Sequence, residues 1–147
     1  MHSHMQKKIL RTFFRVGKTQ TARRRRKRQS AVSSNHFNTY KEEARTLVHA
    51  RLAHWNTFYN HSYKRVAIRN QRSRWGSCST LGNLNFNYRI LFLSPELADY
   101  IIVHELCHLQ EFNHSKQFWD LVAHALPEYA AHKQILQTVR MQSIHTK

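Results

Sequence analysis

The chain has 147 residues, enough for one domain with a hydrophobic core, and a formal net charge of +16. It contains two cysteines, Cys78 and Cys107, so no disulfide framework is indicated. No apolar run is long enough to span a bilayer, and residues 1–30 lack the apolar core of a secretion signal. These features argue against a membrane protein and a disulfide-stabilised secreted domain, and they predict a cytoplasmic location.

The positive charge is concentrated in an N-terminal arm. Eleven lysines and arginines precede Ser30 without any acid among them. The densest run is Arg23, Arg24, Arg25, Arg26, Lys27 and Arg28. Because such a run repels itself and has nothing apolar to bury, we expect residues 1–37 to form a basic, mostly disordered arm. The arm has four interpretations: a solvated tail, a nucleic-acid contact through these six residues, a targeting segment or a non-native extension.

A helix and a small sheet are predicted after the arm. Thr39 and Glu42 form a capping box, and the apolar residues that follow recur at helical spacing as far as Asn60, a stop signal. Alternating apolar residues predict strands over 64–69 and 83–88, with an extended segment between them. Together these indicate a small antiparallel sheet, in which Gly76 marks a bulge or a close approach by another backbone.

The strongest signal is an H-E-x-x-H motif formed by His104, Glu105 and His108. Ser94 and Pro95 are suited to start a helix that carries this motif, which we predict over residues 95–112. On a helix the two histidines lie one turn apart on one face and can hold one Zn²⁺ ion. Glu105 lies beside them, close enough to reach a water at the metal without being a ligand.

A catalytic zinc site needs a third protein ligand, and His114 is the best candidate. In an unbroken helix His114 would point away from the other two histidines, so the chain must turn after Phe112. Asn113 is suited to this turn because asparagine tolerates the left-handed conformation that ends helices. Further helices are predicted after Ser115 and over residues 128–142.

Other assignments stay open at this point. Glu111, one turn beyond His108, is an alternative third ligand, and Glu128 is a weaker one. Asp99 or Asp120 is a candidate to orient a ligand imidazole. With three imidazole ligands, zinc keeps one position for water, and Glu105 would act as general base.

Several spaced motifs resemble the YgjP-like metallopeptidase domain, which is similar to the SprT-like and WLM zinc proteases. They are residues 72–79, Asn87, Pro95, residues 99–108, residues 113–115 and Phe118-Trp119. The resemblance implies a zincin-like α+β fold, with the sheet packed on a long HExxH helix and further helices before and after. It also implies zinc bound by His104, His108 and His114, with Glu105 catalytic. We therefore assign residues 38–142 to this domain and residues 143–147 to a tail.

The resemblance also suggests where substrate binds. Zincins commonly bind substrate as a strand added to a sheet edge, which makes Trp75 and the residues after it candidates. The alternative is that Trp75 and Trp119 simply fill the core beside the helix. The candidates for stabilising the oxyanion of the reaction are Arg74, Tyr88 and Tyr129.

Three functions compete on the sequence. The first is a zinc endopeptidase acting on protein or peptide substrates. The second is a nucleic-acid-associated protein that uses the arm, as an SprT-like protease acting on DNA-bound proteins would. The third is an inactive scaffold that keeps zinc for folding.

Overall fold

The structure is a computed structural model that describes the backbone of residues 2–139 and the side chains of residues 21–139. It divides into two units, Met1–Asn38 and Thr39–Lys147. The elements are α1 (His2–Tyr59), β1 (Arg65–Arg69), β2 (Gly76–Cys78), β3 (Asn83–Asn87), a 3₁₀ helix (Tyr88–Phe92), α2 (Pro95–Cys107), α3 (Lys116–Ala125) and α4 (Tyr129–Thr138). The predicted tail and the last residues of the predicted final helix lie outside the described residues.

Helix α1 contains residues of both units, and it differs from the prediction in two ways. The expected disordered arm is helical, and no new helix starts at Thr39. Arginine, lysine and glutamine are good helix formers, and no proline interrupts the segment, so charge alone does not prevent a helix here. The predicted stop is confirmed, because α1 ends at Tyr59 and Asn60 has a φ of 51°, in the left-handed region.

The three-stranded sheet is mixed, with strand order β1-β3-β2. The prediction of an antiparallel sheet is correct for β2 and β3, in which Ser77 pairs with Asn85. It is wrong for β1, which runs parallel to β3 with Val66 opposite Leu84. The prediction failed because β2 is only three residues long and shows no alternation of its own. With β2 inserted between them in sequence, β1 and β3 are not joined by a hairpin.

The core of the second unit forms around α2. Apolar residues on nearly every side of this helix are buried, as expected for a helix in the interior of a domain. Helix α1, strands β1 and β3, the 3₁₀ helix and α3 contribute buried side chains to the same core, whereas α4 has no buried residue. The fully buried side chains include Val48, Leu52, Leu84, Phe86, Ile102, Val103, Leu106, Phe118 and Val122.

Helix α2 begins as predicted, with Ser94 as the N-cap residue and Pro95 in the first turn, but it ends at Cys107 rather than at Phe112. The chain continues in a tight turn, in which the amides of Gln110 and Glu111 both donate to the carbonyl oxygen of Cys107, at 3.1 and 2.9 Å. The early end of α2 allows the chain to reverse before His114.

Candidate active site

Three histidine side chains converge at the C-terminal end of α2. The Nε2 atom of His104 lies 3.2 Å from Nε2 of His108 and 3.1 Å from Nε2 of His114. Two imidazole nitrogens bound to one tetrahedral zinc ion, each about 2.0–2.1 Å from the metal, lie about 3.3 Å apart. These three residues are the one group of potential ligands that the described part of the chain brings within 4.8 Å of one another. The donor set therefore fits a metal ion of the size and geometry of zinc.

The turn that presents His114 is built from side-chain hydrogen bonds to the backbone. Asn113 Oδ1 accepts a 3.0 Å hydrogen bond from the Ser115 amide, which folds the chain back over two residues. Ser115 then caps α3 by accepting from the Phe118 amide, as predicted. The prediction that Asn113 adopts a left-handed conformation is wrong, because Asn60 is the one non-glycine residue with positive φ in the described chain.

A backbone contact orients His108. Its Nδ1 lies 2.9 Å from the carbonyl oxygen of Glu111, and since a carbonyl only accepts, Nδ1 carries the proton and Nε2 keeps its lone pair. Glu111 thus contributes its backbone, and its side chain is not in the histidine group. The predicted orienting carboxylates act elsewhere: Asp99 pairs with Arg51, and Asp120 pairs with Lys116. Glu128 also lies outside the group of potential ligands.

The surroundings of His104 and His114 favour their neutral form. Burial, and to a smaller extent the nearby His108, His114 and Lys133, lower the pKa of His104 to about 3. Burial also lowers the pKa of His114, and Lys133 contributes there too. A neutral imidazole has the lone pair that a metal requires, so the site is prepared to bind a cation without first losing protons.

Aromatic rings hold two of the imidazoles in place. His108 stacks on Phe118 with ring centroids 4.5 Å apart, and His114 stacks on Trp119 at 5.6 Å. Trp119 stacks in turn on Tyr129 at 5.2 Å. These contacts reduce the freedom of the two side chains, which favours a preformed site over one assembled by the ion.

Glu105 lines the same cavity as His104 and is almost fully buried. Its side chain is 6% exposed, and Oε2 has no hydrogen-bond partner among the described residues. Burial raises its pKa to about 8, against an opposing effect of Arg74. A buried carboxyl group that has no partner is costly for stability and is typical of a functional position.

The space for this carboxylate depends on Gly76. A Cβ atom at this position would lie 2.6 Å from Oε1 of Glu105 and 2.7 Å from its Cγ, closer than real Cβ atoms come. A close approach at Gly76 is present, but the approaching group is the side chain of Glu105 and not the backbone that the sequence led us to expect. Glycine is required here by space rather than by backbone conformation.

A buried asparagine fixes the segment that carries Gly76. The Asn87 side-chain amide donates to the carbonyl oxygens of Gln71 at 2.7 Å and Arg74 at 3.1 Å. The backbone amide of Asn87 also donates to the carbonyl of Trp75 at 2.7 Å. The sequence placed Asn87 in a family motif but did not indicate its role. In the structure, Asn87 anchors this loop beside the site.

The predicted substrate and oxyanion residues lie in different places. Trp75 lines both cavities beside the histidines, and Arg74 is exposed next to it. Tyr88 is fully buried and packs edge-on against Phe92, so its hydroxyl is not presented to substrate. Tyr100, which the prediction missed, lines both cavities. Its position four residues before His104, on the same helix face, was the available signal.

Two cavities adjoin the histidines. The larger, of about 560 Å³, is lined by Trp75, Tyr100, His104, His114, Trp119, Lys133, Leu136 and Gln137. The smaller, of about 190 Å³, is lined by Trp75, Gly76, Tyr100, Ile101, His104, Glu105 and Leu136. The lining is aromatic with a few polar groups, as in sites that bind organic ligands. Trp75 therefore faces open space as well as packing beside α2.

The six basic residues predicted to contact nucleic acid, Arg23–Arg28, are exposed on α1 in the other unit, Met1–Asn38. Nothing observed in the described residues supports nucleic-acid binding. Among the described residues, no helix combines the length and apolar character needed to cross a membrane.

The sheet, the helix that carries two histidines, the third histidine from the following turn and the enclosed glutamate define a metallopeptidase-type site. The chain belongs to the YgjP-like metallopeptidase domain family, whose model matches residues 6–139. The match begins earlier than the domain that we assigned from the sequence, residues 38–142, and it includes most of the basic arm. The α+β, zincin-like fold class is confirmed. No curated protein matches the chain.

Similar solved structures include two metallopeptidase zymogens. The metallopeptidase zymogen abylysin of Pyrococcus abyssi is 26% identical with a TM-score of 0.58, over 65% of this chain and 95% of that chain. The metallopeptidase zymogen jannalysin of Methanocaldococcus jannaschii is 24% identical with a TM-score of 0.47, over 65% of this chain and 97% of that chain.

Proposed function

We propose that this protein is a zinc-dependent peptidase in which His104, His108 and His114 hold the ion and Glu105 is the general base. The observation that carries the proposal is the convergence of three Nε2 atoms beside one enclosed carboxylate. A set of three imidazoles suits zinc and leaves a fourth position open, as in catalytic rather than structural zinc sites.

The chemistry divides between the ion and the chain. A bound zinc ion supplies Lewis-acid chemistry, because it makes water more acidic and polarises a carbonyl oxygen. Glu105 would take the proton from the attacking water and deliver it to the leaving amine. Burial, which raises its pKa to about 8, makes its carboxylate a better proton acceptor than an exposed one. The aromatic lining around it limits the access of bulk water.

The free edge of the sheet is the proposed binding surface for a peptide backbone. The amides of Asn87 and Ser79 donate to the carbonyls of Trp75 and Asn83, so Trp75, Ser77 and Ser79 face β3. By the alternation of antiparallel pairing, the backbone groups of Gly76 and Cys78 point away from β3. An extended substrate paired with them would lie alongside Glu105, which contacts Gly76.

Both cysteines are unpaired, which supports the proposal that the protein works in a reducing compartment such as the cytoplasm.

The test compares two single substitutions of glutamate by glutamine, at Glu105 and at Glu111. Glu105→Gln should keep the metal and lose peptide hydrolysis by at least about a thousandfold, because the proton acceptor is removed while the ligands stay. Glu111→Gln is the matched control and should keep both, since Glu111 contributes only its carbonyl to the site. Cleavage of a fluorogenic peptide and metal content by mass spectrometry are the measurements. Cleavage by Glu105→Gln at the parent rate would contradict the proposed mechanism, and absence of cleavage by the metal-loaded parent across a broad peptide library would favour a scaffold.

A further inference from the structure

Lys133 on α4 extends over the larger cavity. Its ammonium nitrogen lies 4.0 Å from the centroid of the Trp119 ring, a cation–π contact. That ring lies 5.6 Å from the ring of His114. The ammonium is therefore within about 10 Å of His114, the span of about three extended residues.

The ammonium has no negative partner in the described chain. The ion pairs there join Arg45 to Glu42, Arg51 to Asp99 and Lys116 to Asp120. Among the residues that line the larger cavity, Lys133 is the only lysine or arginine, and there is no aspartate or glutamate. Its charge also reaches the imidazoles, because it helps to lower the pKa of both His104 and His114.

A fixed positive charge at this place is unfavourable for the metal site by itself. It repels the cation that the three imidazoles would hold, and it gains only an aromatic face in return. A negatively charged group bound in the cavity would reverse this balance, since it would interact with the ammonium and with the ion together. The half-buried setting strengthens such an interaction relative to open solvent.

We infer that Lys133 makes this peptidase select substrates with a carboxylate close to the scissile bond. The inference rests on the proposed peptidase function and names its substrate class: peptides in which an aspartate or glutamate side chain, or the C-terminal carboxylate, lies in the larger cavity. The cavity has room for such a group, with a volume of about 560 Å³. The cation–π contact with the Trp119 ring restrains the lysine, and Gln137 provides a further polar group on the cavity wall.

The experiment measures kcat/KM for matched peptides. One series places glutamate or glutamine at each of the three positions on either side of the scissile bond, and a second compares free and amidated C-termini. For the parent, kcat/KM should be about five- to tenfold higher for the peptide that carries the carboxylate, in one of the two series and at one position. This is the range for a partly exposed charge-assisted hydrogen bond. The series that shows the preference tells whether the enzyme recognises a side-chain carboxylate or the C-terminal carboxylate.

Variants of Lys133 test whether this residue is the cause. Lys133→Met should reduce the preference to about onefold, and Lys133→Glu should invert it in favour of a lysine-bearing peptide. Lys64→Met, which removes one exposed lysine outside the cavity, is the control for net charge and should retain the parent's preference. Binding of the same peptides to zinc-loaded Glu105→Gln, measured by calorimetry, should show the same preference without turnover.

Two results would overturn the inference. One is a parent that cleaves peptides with equal efficiency whether or not they carry the carboxylate. The other is a Lys133→Met variant that loses kcat equally for all peptides and keeps the preference, because that would make the lysine an oxyanion-stabilising group. A parent that cleaves no peptide refutes the proposed function instead, so the two failures are distinguishable.

Discussion

Two buried polar clusters flank the segment around Gly76, and they differ in how well their groups are satisfied. On one side, Asn87 and Arg89 bond to each other and to the loop, with Arg89 Nη1 donating to Asn70 Oδ1 at 2.9 Å, and of their side-chain atoms Arg89 Nε alone is buried without a partner in the described chain. On the other side, Oε2 of Glu105 and Nδ1 of His104 are buried without a hydrogen-bond partner in the described chain.

This difference in hydrogen bonding indicates that one cluster stabilises the fold and the other takes part in the reaction. Buried polar groups that stabilise a fold are hydrogen-bonded, because an unpaired one costs about 1–3 kcal/mol. Groups that must bind or exchange a proton during a reaction keep some bonding capacity free. We therefore expect the asparagine cluster to determine stability and the glutamate and histidine cluster to determine activity. Of the three predictions that follow, given from the largest expected effect to the smallest, the first two test this division and the third tests the proposed binding surface.

Asn87→Ala should lower the free energy of unfolding by about 3 kcal/mol, because it removes the bonds to Gln71, Arg74 and Arg89 and leaves buried groups unpaired. Glu105→Gln should change it by less than about 1 kcal/mol or raise it, since its Oε2 has no partner to lose. Urea unfolding of the metal-free proteins measures both values. Equal losses of stability in the two variants would remove the distinction between the clusters.

Gly76→Ala should lower kcat by about a hundredfold, the cost of displacing a catalytic group by about 1 Å, because the new methyl group would overlap Glu105. Gly82→Ala is the matched control. Gly82 has a φ of +74°, and the nearest atoms to a Cβ there are 3.7 Å away in Lys64 and 3.8 Å away in Tyr63. It should lose about 1 kcal/mol of stability with kcat unchanged. Comparable losses of kcat in both variants would show that Gly76 matters only for folding.

Peptides methylated at one backbone nitrogen at a time should reveal how substrate pairs with β2. If the chain binds along the groups of Gly76 and Cys78 that face away from β3, methylation at alternate positions should raise KM about tenfold, the value of one lost hydrogen bond. Methylation at the peptide positions between them should leave KM almost unchanged. Uniform loss along the peptide, or loss without a period of two, would place the substrate elsewhere than on the strand edge.

The site was more predictable than the fold around it. The spacing of His104, Glu105 and His108 fixes their shared position on any helix, and His114 follows because a third ligand is needed nearby. The construction of the turn was not predictable, because an asparagine can reverse a chain through its backbone conformation or through its side chain. The structure uses the side chain of Asn113, which accepts from Ser115.

The errors in the fold arose where tertiary contacts override local pattern. Strand β2 exists because Trp75 and Ser79 pair with β3, and three residues give no periodic signal. Tyr88 looked available for catalysis, but the chain turns into a 3₁₀ helix after Asn87 and buries it. Lys133 was missed because it is distant in sequence from the motif, and only the packing of α4 brings it over Trp119.

The most direct test of the central claim is X-ray absorption at the zinc edge of the zinc-loaded protein, compared with His114→Ala. We predict three imidazole nitrogens at about 2.0–2.1 Å in the parent. In the variant we predict one imidazole fewer, together with weaker zinc binding. A parent spectrum with two imidazoles, or one left unchanged by the substitution at position 114, would contradict the account.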